Sequence, residues 1–195
     1  MKKNQAVTYK DGRRALVAED IASIVARLSR EANESARDVI DLLGDSDTTL
    51  VPVPSSKALE TFAVPNRATA AIADQLAHEG FGGGARYHLR RIRTLPKSAY
   101  LSKATERPDV DFQAKTLGLP EHAPAPARVC LIDDVVTTGT TLMGCALKLR
   151  ERYPDLEIVA FSVARTVQGD IDSRIVVPKV ETVSFYPDGR YCRRR

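Results

Sequence analysis

The chain has 195 residues, which is enough for one α/β domain with a sizeable core and too few for two comfortable ones. Hydrophobic residues make up 43% and charged residues 28%, proportions that are typical of a soluble globular protein and exclude disorder throughout. The formal net charge of +4 fits either a polyanionic small substrate or a nucleic acid. Because the N-terminus lacks an apolar signal segment and no apolar run is long enough to span a bilayer, we expect a cytoplasmic protein with no membrane partner.

The N-terminal part of the chain, residues 1–46, is predicted to be helical. Apolar residues recur at three- and four-residue spacing within residues 19–43, a pattern that predicts one amphipathic helix or two helices broken near Asn33. Gly44 follows the last apolar residue of this pattern and is the natural stop for the helix.

The first strand of the core is predicted at residues 48–53. Pro52 and Pro54 forbid helix there and place the end of the strand close by. The next helix is predicted to begin at Asn66, which is a good N-cap residue, and to close at Gly80. Its apolar face is rich in alanine, and small side chains of this kind pack closely on a sheet.

The rest of the chain alternates between irregular and strand-like segments. Residues 85–93 can form a strand, but their four arginines indicate an edge strand or a segment that leaves the sheet toward solvent. Residues 94–128 have a weak apolar pattern and five prolines, which predicts a long irregular stretch that acts as a functional lid or a linker. A buried strand is predicted at residues 158–164, and two strand-like runs around residues 187–189 (Pro-Asp-Gly) predict a hairpin.

The most informative stretch is residues 129–141, Val-Cys-Leu-Ile-Asp-Asp-Val-Val-Thr-Thr-Gly-Thr-Thr. Residues 129–132 are apolar without alternation, which predicts a strand buried on both faces of a parallel sheet. Asp133 and Asp134 follow at its carboxyl end, the edge at which open α/β sheets bind ligands. Two adjacent carboxylates there need hydroxyls, cations or a metal-loaded substrate as partners.

A hydroxyl-rich turn comes next and runs directly into a helical pattern. The turn consists of Thr137, Thr138, Gly139, Thr140 and Thr141. Backbone N–H groups and the positive end of the helix dipole converge in such a turn, which predicts a phosphate site. A phosphate site beside a carboxylate pair predicts a sugar phosphate, with the 5′-phosphate on the turn and the 2′- and 3′-hydroxyls on the acids. The alternative, an acidic surface loop before an ordinary helix, leaves both features without a reason.

This segment resembles the phosphoribosyl pyrophosphate (PRPP) motif of the type I phosphoribosyltransferases, with strand, acid pair, Thr-Gly turn and helix in the same order. Residues 50–165 are most similar to the competence-protein-F-like and amidophosphoribosyltransferase-like branch, which shares a Val-Pro-Val-Pro start and an Arg…Lys-Ser…Leu-Ser…Arg loop. The N-terminal zinc-ribbon cysteines of that branch and the glutaminase cysteine of the amidotransferases do not occur here. Residues 1–46 and 170–195 lie outside this resemblance and do not match the sequence patterns of the branch.

The resemblance implies an α/β fold, namely a doubly wound, mostly parallel sheet of about five strands with helices on both faces. It implies one phosphoribosyltransferase-like domain over residues 1–195, with its core at about 47–168. The N-terminal helical segment, 1–46, and a C-terminal tail, 170–195, would surround the core, and the termini would form a small hood.

The resemblance also implies two further parts of the site. A pyrophosphate loop is expected after the first core strand, at Pro54, Ser55, Ser56 and Lys57. Taken alone, this segment is better explained as a proline-bounded surface turn. A mobile basic loop is expected to close over PRPP, with Arg93, Lys97, Lys103 and Arg107 as its cations. A solvated basic face is the alternative for that loop. Together with the acid pair, Lys97 and Arg107 are the expected catalytic residues.

The implied activity is the transfer of ribose 5-phosphate from PRPP to a nitrogenous base or related acceptor. Magnesium is expected to arrive largely with PRPP, near Asp133 and Asp134, without a dedicated protein site. The identity of the acceptor is left open, because Thr137 stands where enzymes that act on 6-oxopurines carry an aspartate. Residues 163–168 either line the acceptor pocket or are simply the connection from the strand to the following loop. A non-catalytic PRPP or nucleotide sensor is the alternative, its basic C-terminal tail contacting nucleic acid. Nucleic acid is not the favoured partner, and a homodimer is left open.

Overall fold

The computed structural model describes residues 6–8, 14–16, 21, 23, 34–44, 46–59, 68–96, 108–166, 180–186 and 191–194. The helices within these ranges are α1 (Glu34–Leu43), α2 (Ala68–His78), α3 (Val110–Lys115) and α4 (Thr140–Arg150). The strands are β1 (Ala6–Thr8), β2 (Arg14–Leu16), β3 (Thr48–Pro52), β4 (Arg90–Arg91), β5 (Leu117–Gly118), β6 (Arg128–Val136), β7 (Glu157–Arg165), β8 (Val183–Tyr186) and β9 (Tyr191–Arg194). In the part of the chain that is described, no helix has both the length and the apolar character needed to cross a membrane.

The centre of the fold is a parallel sheet with the strand order β3-β6-β7. Leu50 of β3 also forms a parallel bridge with Ala85, and the amide of Arg86 donates to the Leu50 carbonyl at 2.9 Å, so a further extended segment lies beside β3. The predicted α/β class with a mostly parallel sheet is confirmed. The described part of the sheet comprises these three strands and the Ala85 segment, compared with the prediction of about five strands. β7 is half-exposed rather than buried, because it lies at the edge of this described sheet.

Helices cover both faces of this sheet, as predicted for a doubly wound fold. On one face, Leu50 and Ile132 pack against α1 and α2; the buried members of this cluster are Leu43, Leu50, Ile72, Ala73, Leu76, Phe81, Cys130 and Ile132. On the other face, Val51 and Leu131 pack against the α4 residues Leu142, Cys145 and Leu149. Successive strand residues point to opposite faces, so neighbouring apolar residues enter different clusters. Each fully buried aliphatic side chain stabilises the fold by roughly 1.5–3 kcal/mol.

The stretch predicted to be irregular, residues 94–128, contains α3 and β5. The carboxylate of Asp109 caps α3 by accepting from the amide of Phe112 at 2.8 Å. This short helix packs directly against α4 at Gly144, where an added Cβ would lie only 2.4 Å from Cβ of Gln113 and 3.2 Å from the carbonyl oxygen of Val110. The prediction was wrong here because six residues show too little periodicity and because the packing against α4 supplies much of the helix's support.

Predictions for three other segments have mixed outcomes. The predicted helical segment 1–46 includes the antiparallel pair β1 and β2, although α1 stops before Gly44 as expected. Of the predicted strand at residues 85–93, only β4 is a strand, and it pairs with β5. The predicted hairpin is confirmed by the pairing of β8 with β9. The predicted N-cap, Asn66, lies outside the described residues.

Candidate functional site

β3 ends beside the acid pair. From that point on, β6 is open on the side where β3 was its neighbour. β3 pairs with β6 up to Ile132, and the amide of Val53 then donates to the Ile132 carbonyl at 2.9 Å before the chain turns away. Asp133 therefore follows directly after the last β3 contact and continues to pair with β7. The amide of Asp134 donates to Oδ1 of Asp133 at 2.9 Å, so the Asp133 carboxylate folds back against the end of its own strand.

Asp133 is a buried acid with a strongly shifted proton affinity. The residue is only 9% exposed. Burial, and then the neighbouring charge of Asp134, raise the pKa of Asp133 from 3.8 to about 7. The free protein therefore keeps a proton on this group to a higher pH than an exposed aspartate does. A cation or a hydroxyl donor from a ligand would favour the charged form, which gives the site a chemical preference for such ligands.

The predicted phosphate turn begins α4 from a left-handed glycine. Gly139 is the N-cap residue with φ +87°, and a methyl group added to it would lie 2.6 Å from Cγ1 of Val183. The hydroxyls of Thr138 and Thr140 are 2.9 Å apart, and Thr137 is exposed. The first amides of a helix have no partner within it, so this turn presents N–H groups and hydroxyls at the positive end of the α4 dipole.

The predicted pyrophosphate loop starts at the same edge of the sheet, next to the acid pair. Pro54 is buried, whereas Ser55 and Ser56 are half-buried and Lys57 is exposed. The hydroxyl of Ser55 accepts from the amide of Lys57 at 3.2 Å, which closes a tight turn. Because β3 and β6 are parallel neighbours, this loop and the turn that begins α4 both lie at the edge of the sheet that carries the acid pair.

The start of the basic segment runs beside the pyrophosphate loop. The amide of Leu95 donates to the Ser56 carbonyl at 2.7 Å, and the amide of Ala58 donates to Oγ1 of Thr94 at 3.0 Å. Arg93 belongs to this segment and is exposed. The other three predicted cations, Lys97, Lys103 and Arg107, lie outside the described residues.

Arg91 is the residue that sequence reasoning misplaced. The arginines of residues 85–93 predicted an edge strand or a segment that leaves the sheet toward solvent, yet Arg91, which lies in the short strand β4, is 1% exposed. Its Nε donates to the Ser55 carbonyl at 3.2 Å, and its Nη1 donates to the Gln113 carbonyl at 3.2 Å and to Oγ1 of Thr116 at 2.5 Å. These acceptors, contributed by segments distant in the sequence, make burial of a guanidinium tolerable. Its two-residue spacing from the buried Leu89 is the signal that could have indicated an inward position.

The C-terminal hairpin lies against the phosphate turn, a contact that the sequence did not predict. Val183 of β8 contacts Gly139, and the buried Cys192 of β9 forms a hydrogen bond with Thr140. Burial raises the pKa of the Cys192 thiol, and the hydrogen bond with Thr140 acts in the opposite direction. The ion pair between Arg165 and Glu181, at 3.1 Å, joins the end of β7 to the approach to the hairpin.

The end of β7 presents apolar surface beside the acids. Val135 of β6 is 45% exposed and Val163 of β7 is 39% exposed, although both belong to the parallel sheet. The amide of Thr166 donates to the Val136 carbonyl at 3.0 Å, which holds the end of β7 next to the turn. Of the residues considered for an acceptor pocket, 163–166 are described and 167–168 are not.

Among the described residues of the site, the acid pair is the group that could hold a metal ion. In the described ranges, no group of three or more His, Cys, Asp or Glu side chains is arranged to hold a metal ion. The two carboxylates of Asp133 and Asp134 are hard oxygen donors of the kind that Mg²⁺ accepts when most of its ligands come from a substrate and water. The raised pKa of Asp133 is also compatible with binding of Mg²⁺. A nearby cation favours the ionised carboxylate and would offset the unfavourable burial of its charge.

Scans of the chain against protein-family models and against curated proteins gave no match. Among solved structures, it is similar to a hypoxanthine phosphoribosyltransferase from Staphylococcus aureus in a tetragonal crystal form, with 15% identity, 90% of this chain and 86% of that chain covered, and a TM-score of 0.38. A mutant hypoxanthine phosphoribosyltransferase from Trypanosoma cruzi, in a ternary substrates complex, matches with 14% identity, 90% coverage of each chain and a TM-score of 0.35. TM-scores this low carry no weight for function, which has to be inferred from the site itself.

Proposed function

We propose that the chain is a PRPP-dependent phosphoribosyltransferase, which transfers ribose 5-phosphate to a nitrogenous base or related acceptor and releases pyrophosphate. The observation that carries this proposal is that the acid pair, Asp133 and Asp134, and two loops lie at the same edge of a parallel sheet. One loop begins a helix with amides and threonine hydroxyls, and the other is a serine-rich turn with an exposed lysine. A ligand that carries a phosphate group at each end and a diol between them has one group for each of these parts: a phosphate for each loop and the diol for the acid pair.

Each part of PRPP has a proposed partner. The 5′-phosphate would accept hydrogen bonds at the turn formed by Thr137, Thr138, Gly139, Thr140 and Thr141. The ribose hydroxyls would donate to the carboxylates of Asp133 and Asp134. The pyrophosphate group would meet Pro54, Ser55, Ser56 and Lys57, where serine hydroxyls and an ammonium group are available.

The reaction in this proposal is a displacement at the anomeric carbon. A bond forms from the acceptor nitrogen to that carbon, and the bond from the carbon to the pyrophosphate oxygen breaks, with an oxocarbenium-like transition state. The acids hold the ribose so that the anomeric carbon stays in place while positive charge develops on the sugar. Asp133 and Asp134 are the residues that would hold Mg²⁺, and the ion would supply positive charge for the departing pyrophosphate. Lys97 and Arg107 are proposed to add positive charge from the basic loop and to exclude water.

The acceptor would approach from the side of β7. The exposed side chains of Val135 and Val163 offer an apolar surface for a flat heterocycle next to Asp134. Thr137 provides a hydroxyl where a carboxylate would serve as proton acceptor for a 6-oxopurine, so hypoxanthine and guanine are weaker candidates than other bases. The acceptor is proposed here only as a nitrogenous base or a related nucleophile.

The test combines ligand-induced stabilisation with product release. PRPP with Mg²⁺ should raise the melting temperature of the wild type, and the double variant Asp133→Asn with Asp134→Asn should show no such rise. Asp155→Asn is the matched control, because Asp155 is exposed and precedes β7 at the opposite edge of the sheet. An undiminished rise in the double variant would refute the proposal.

Incubation with PRPP, Mg²⁺ and a panel of bases should then release pyrophosphate with at least one base. Stabilisation by PRPP without pyrophosphate release from any base would favour the alternative function, a non-catalytic PRPP sensor.

A further inference from the structure

Arg91 ties the proposed pyrophosphate loop to the interior of the fold. Its side chain is among the largest that are fully buried, and it joins three parts of the chain. Nε donates to the carbonyl of Ser55, whereas Nη1 donates to the carbonyl of Gln113 and to the hydroxyl of Thr116. The hydroxyl of Thr116 donates in turn to the Gln113 carbonyl at 2.8 Å, so the end of α3 forms a fixed receptor for the guanidinium.

The guanidinium also lies close to α4. Burial raises the pKa of the Cys145 thiol to about 12, and the charge of Arg91 acts on that thiol in the opposite direction. Cys145 is fully buried on the face of α4 that covers the sheet. The hydrogen bonds place the Arg91 guanidinium between the loop and the end of α3, which itself packs on α4 at Gly144, so the planar guanidinium is held from two sides.

This geometry determines which way one peptide group of the loop faces. The peptide bonds of the described structure are trans, so the N–H of a peptide points opposite to its C=O. Because the Ser55 carbonyl is directed at Arg91, the amide of Ser56 is directed away from the interior. Backbone bonds hold the flanks, since the Leu59 amide donates to the Arg91 carbonyl at 2.8 Å and the Leu95 amide donates to the Ser56 carbonyl.

We infer that Arg91 is a positioning residue, which orients the Ser55–Ser56 peptide so that the Ser56 amide donates to a pyrophosphate oxygen. The inference rests on the proposed function for the identity of the ligand. The orientation of the loop by Arg91 can be tested without any ligand. Arg91 does not contact substrate in this account; it acts through the carbonyl of Ser55.

The test uses two variants of Arg91. Arg91→Met removes the hydrogen-bond donors of the guanidinium, and Arg91→Lys keeps the positive charge but lacks the planar arrangement of N–H donors. The matched control is Arg128→Met. Arg128 makes a comparable set of bonds at the opposite edge of the sheet, where Nε donates to Glu157 at 2.7 Å and Nη1 donates to Oγ1 of Thr48 at 3.0 Å. Thr116→Val, which removes one acceptor and keeps the arginine, serves if Arg91→Met fails to fold.

The first measurement is amide hydrogen exchange at Ala58, Leu59 and Leu95 in the free protein. Arg91→Met should raise these rates by about tenfold, the change expected for loss of one hydrogen bond to a charged group. Arg128→Met should leave them unchanged relative to the rest of the chain, and Thr116→Val should raise them by a smaller factor. Equal exchange in Arg91→Met and the wild type would overturn the inference, whatever the ligand is.

The second measurement is calorimetric titration with two probes, Mg²⁺-pyrophosphate and ribose 5-phosphate. Arg91→Met should weaken binding of pyrophosphate by about tenfold and change binding of ribose 5-phosphate less than about twofold, because only the first probe needs the loop amide. Arg91→Lys should not restore pyrophosphate binding. Full restoration by lysine would show that charge alone suffices and would overturn the positioning role. Failure of the wild type to bind either probe would instead refute the proposed function.

Discussion

Replacing Asp133 by asparagine should stabilise the free protein while it abolishes PRPP binding. Asparagine has nearly the same shape as aspartate, and its side-chain oxygen can still accept from the amide of Asp134. The substitution removes a charge that is unfavourable in the free protein, because burial and the Asp134 carboxylate raise the pKa of Asp133 from 3.8 to about 7. In the proposed complex with PRPP and Mg²⁺, the same charge would be needed to hold the ribose and the metal ion.

The size of the effect follows from proton linkage. The folded protein binds the Asp133 proton more tightly than the unfolded chain does, so wild-type stability contains a favourable contribution that is fully present below about pH 4. That contribution is lost as the pH rises from about 4 to about 7, and it stays lost above that range. The difference between 3.8 and about 7 corresponds to about 4 kcal/mol at most, since each tenfold change in proton affinity is worth about 1.4 kcal/mol.

Urea unfolding of the wild type and Asp133→Asn across this pH range is the assay. The two free energies of unfolding should be nearly equal at about pH 4, and the asparagine variant should be about 2–4 kcal/mol more stable at about pH 8. Asp155→Asn, which removes an exposed carboxylate at the opposite edge of the sheet, is the control variant. Addition of PRPP and Mg²⁺ should raise the stability of the wild type and of Asp155→Asn, and it should leave the stability of Asp133→Asn unchanged. Parallel curves for wild type and Asp133→Asn from about pH 4 to about pH 8 would refute the reasoning.

Two further predictions concern close glycine contacts, and both are measured by urea unfolding. Gly139→Ala should destabilise more than Gly80→Ala, because both positions have positive φ but only Gly139 contacts Val183. The Gly80 variant should lose about 1–2 kcal/mol from the backbone conformation alone, and adding Val183→Ala should bring the Gly139 variant close to that value. Gly144→Ala should destabilise by roughly 1–3 kcal/mol despite the higher helix propensity of alanine, because the new methyl group would overlap Gln113. A stabilising effect of Gly144→Ala would contradict the close approach of α3 and α4.

The central sheet and the turn that begins α4 could be predicted from the sequence because their causes are local. A continuous apolar run before Asp133 predicts a buried parallel strand, and the Thr-Gly turn predicts the start of a helix. Pro52 and Pro54 limit β3 in the same way, since proline removes backbone donors wherever it occurs. The structure agrees at each of these places.

Arg91 and α3 could not be predicted in this way, because their positions depend on partners far along the chain. The Ser55 carbonyl is 36 residues from Arg91, and the Gln113 carbonyl is 22 residues from it. A charged segment is predicted to be exposed to solvent. Burial becomes possible only when acceptors elsewhere in the fold replace the water that would otherwise hydrate the charge. α3 likewise depends on the close contact with Gly144, which is distant in sequence.

The sequence by itself determined which groups the proposed sugar-phosphate site contains: the carboxylates of Asp133 and Asp134, the threonine turn, and the serines that follow the first core strand. Side-chain chemistry is given by the residue itself, and backbone preferences depend mainly on residues close in sequence, so both can be predicted without the fold. Only the tertiary structure decided that both loops lie at the same edge of the sheet as the acid pair, that the pKa of Asp133 is raised to about 7, and that the Arg91 guanidinium contacts the Ser55 carbonyl. Burial and proximity arise when distant segments pack together and exclude water, and no local pattern specifies them.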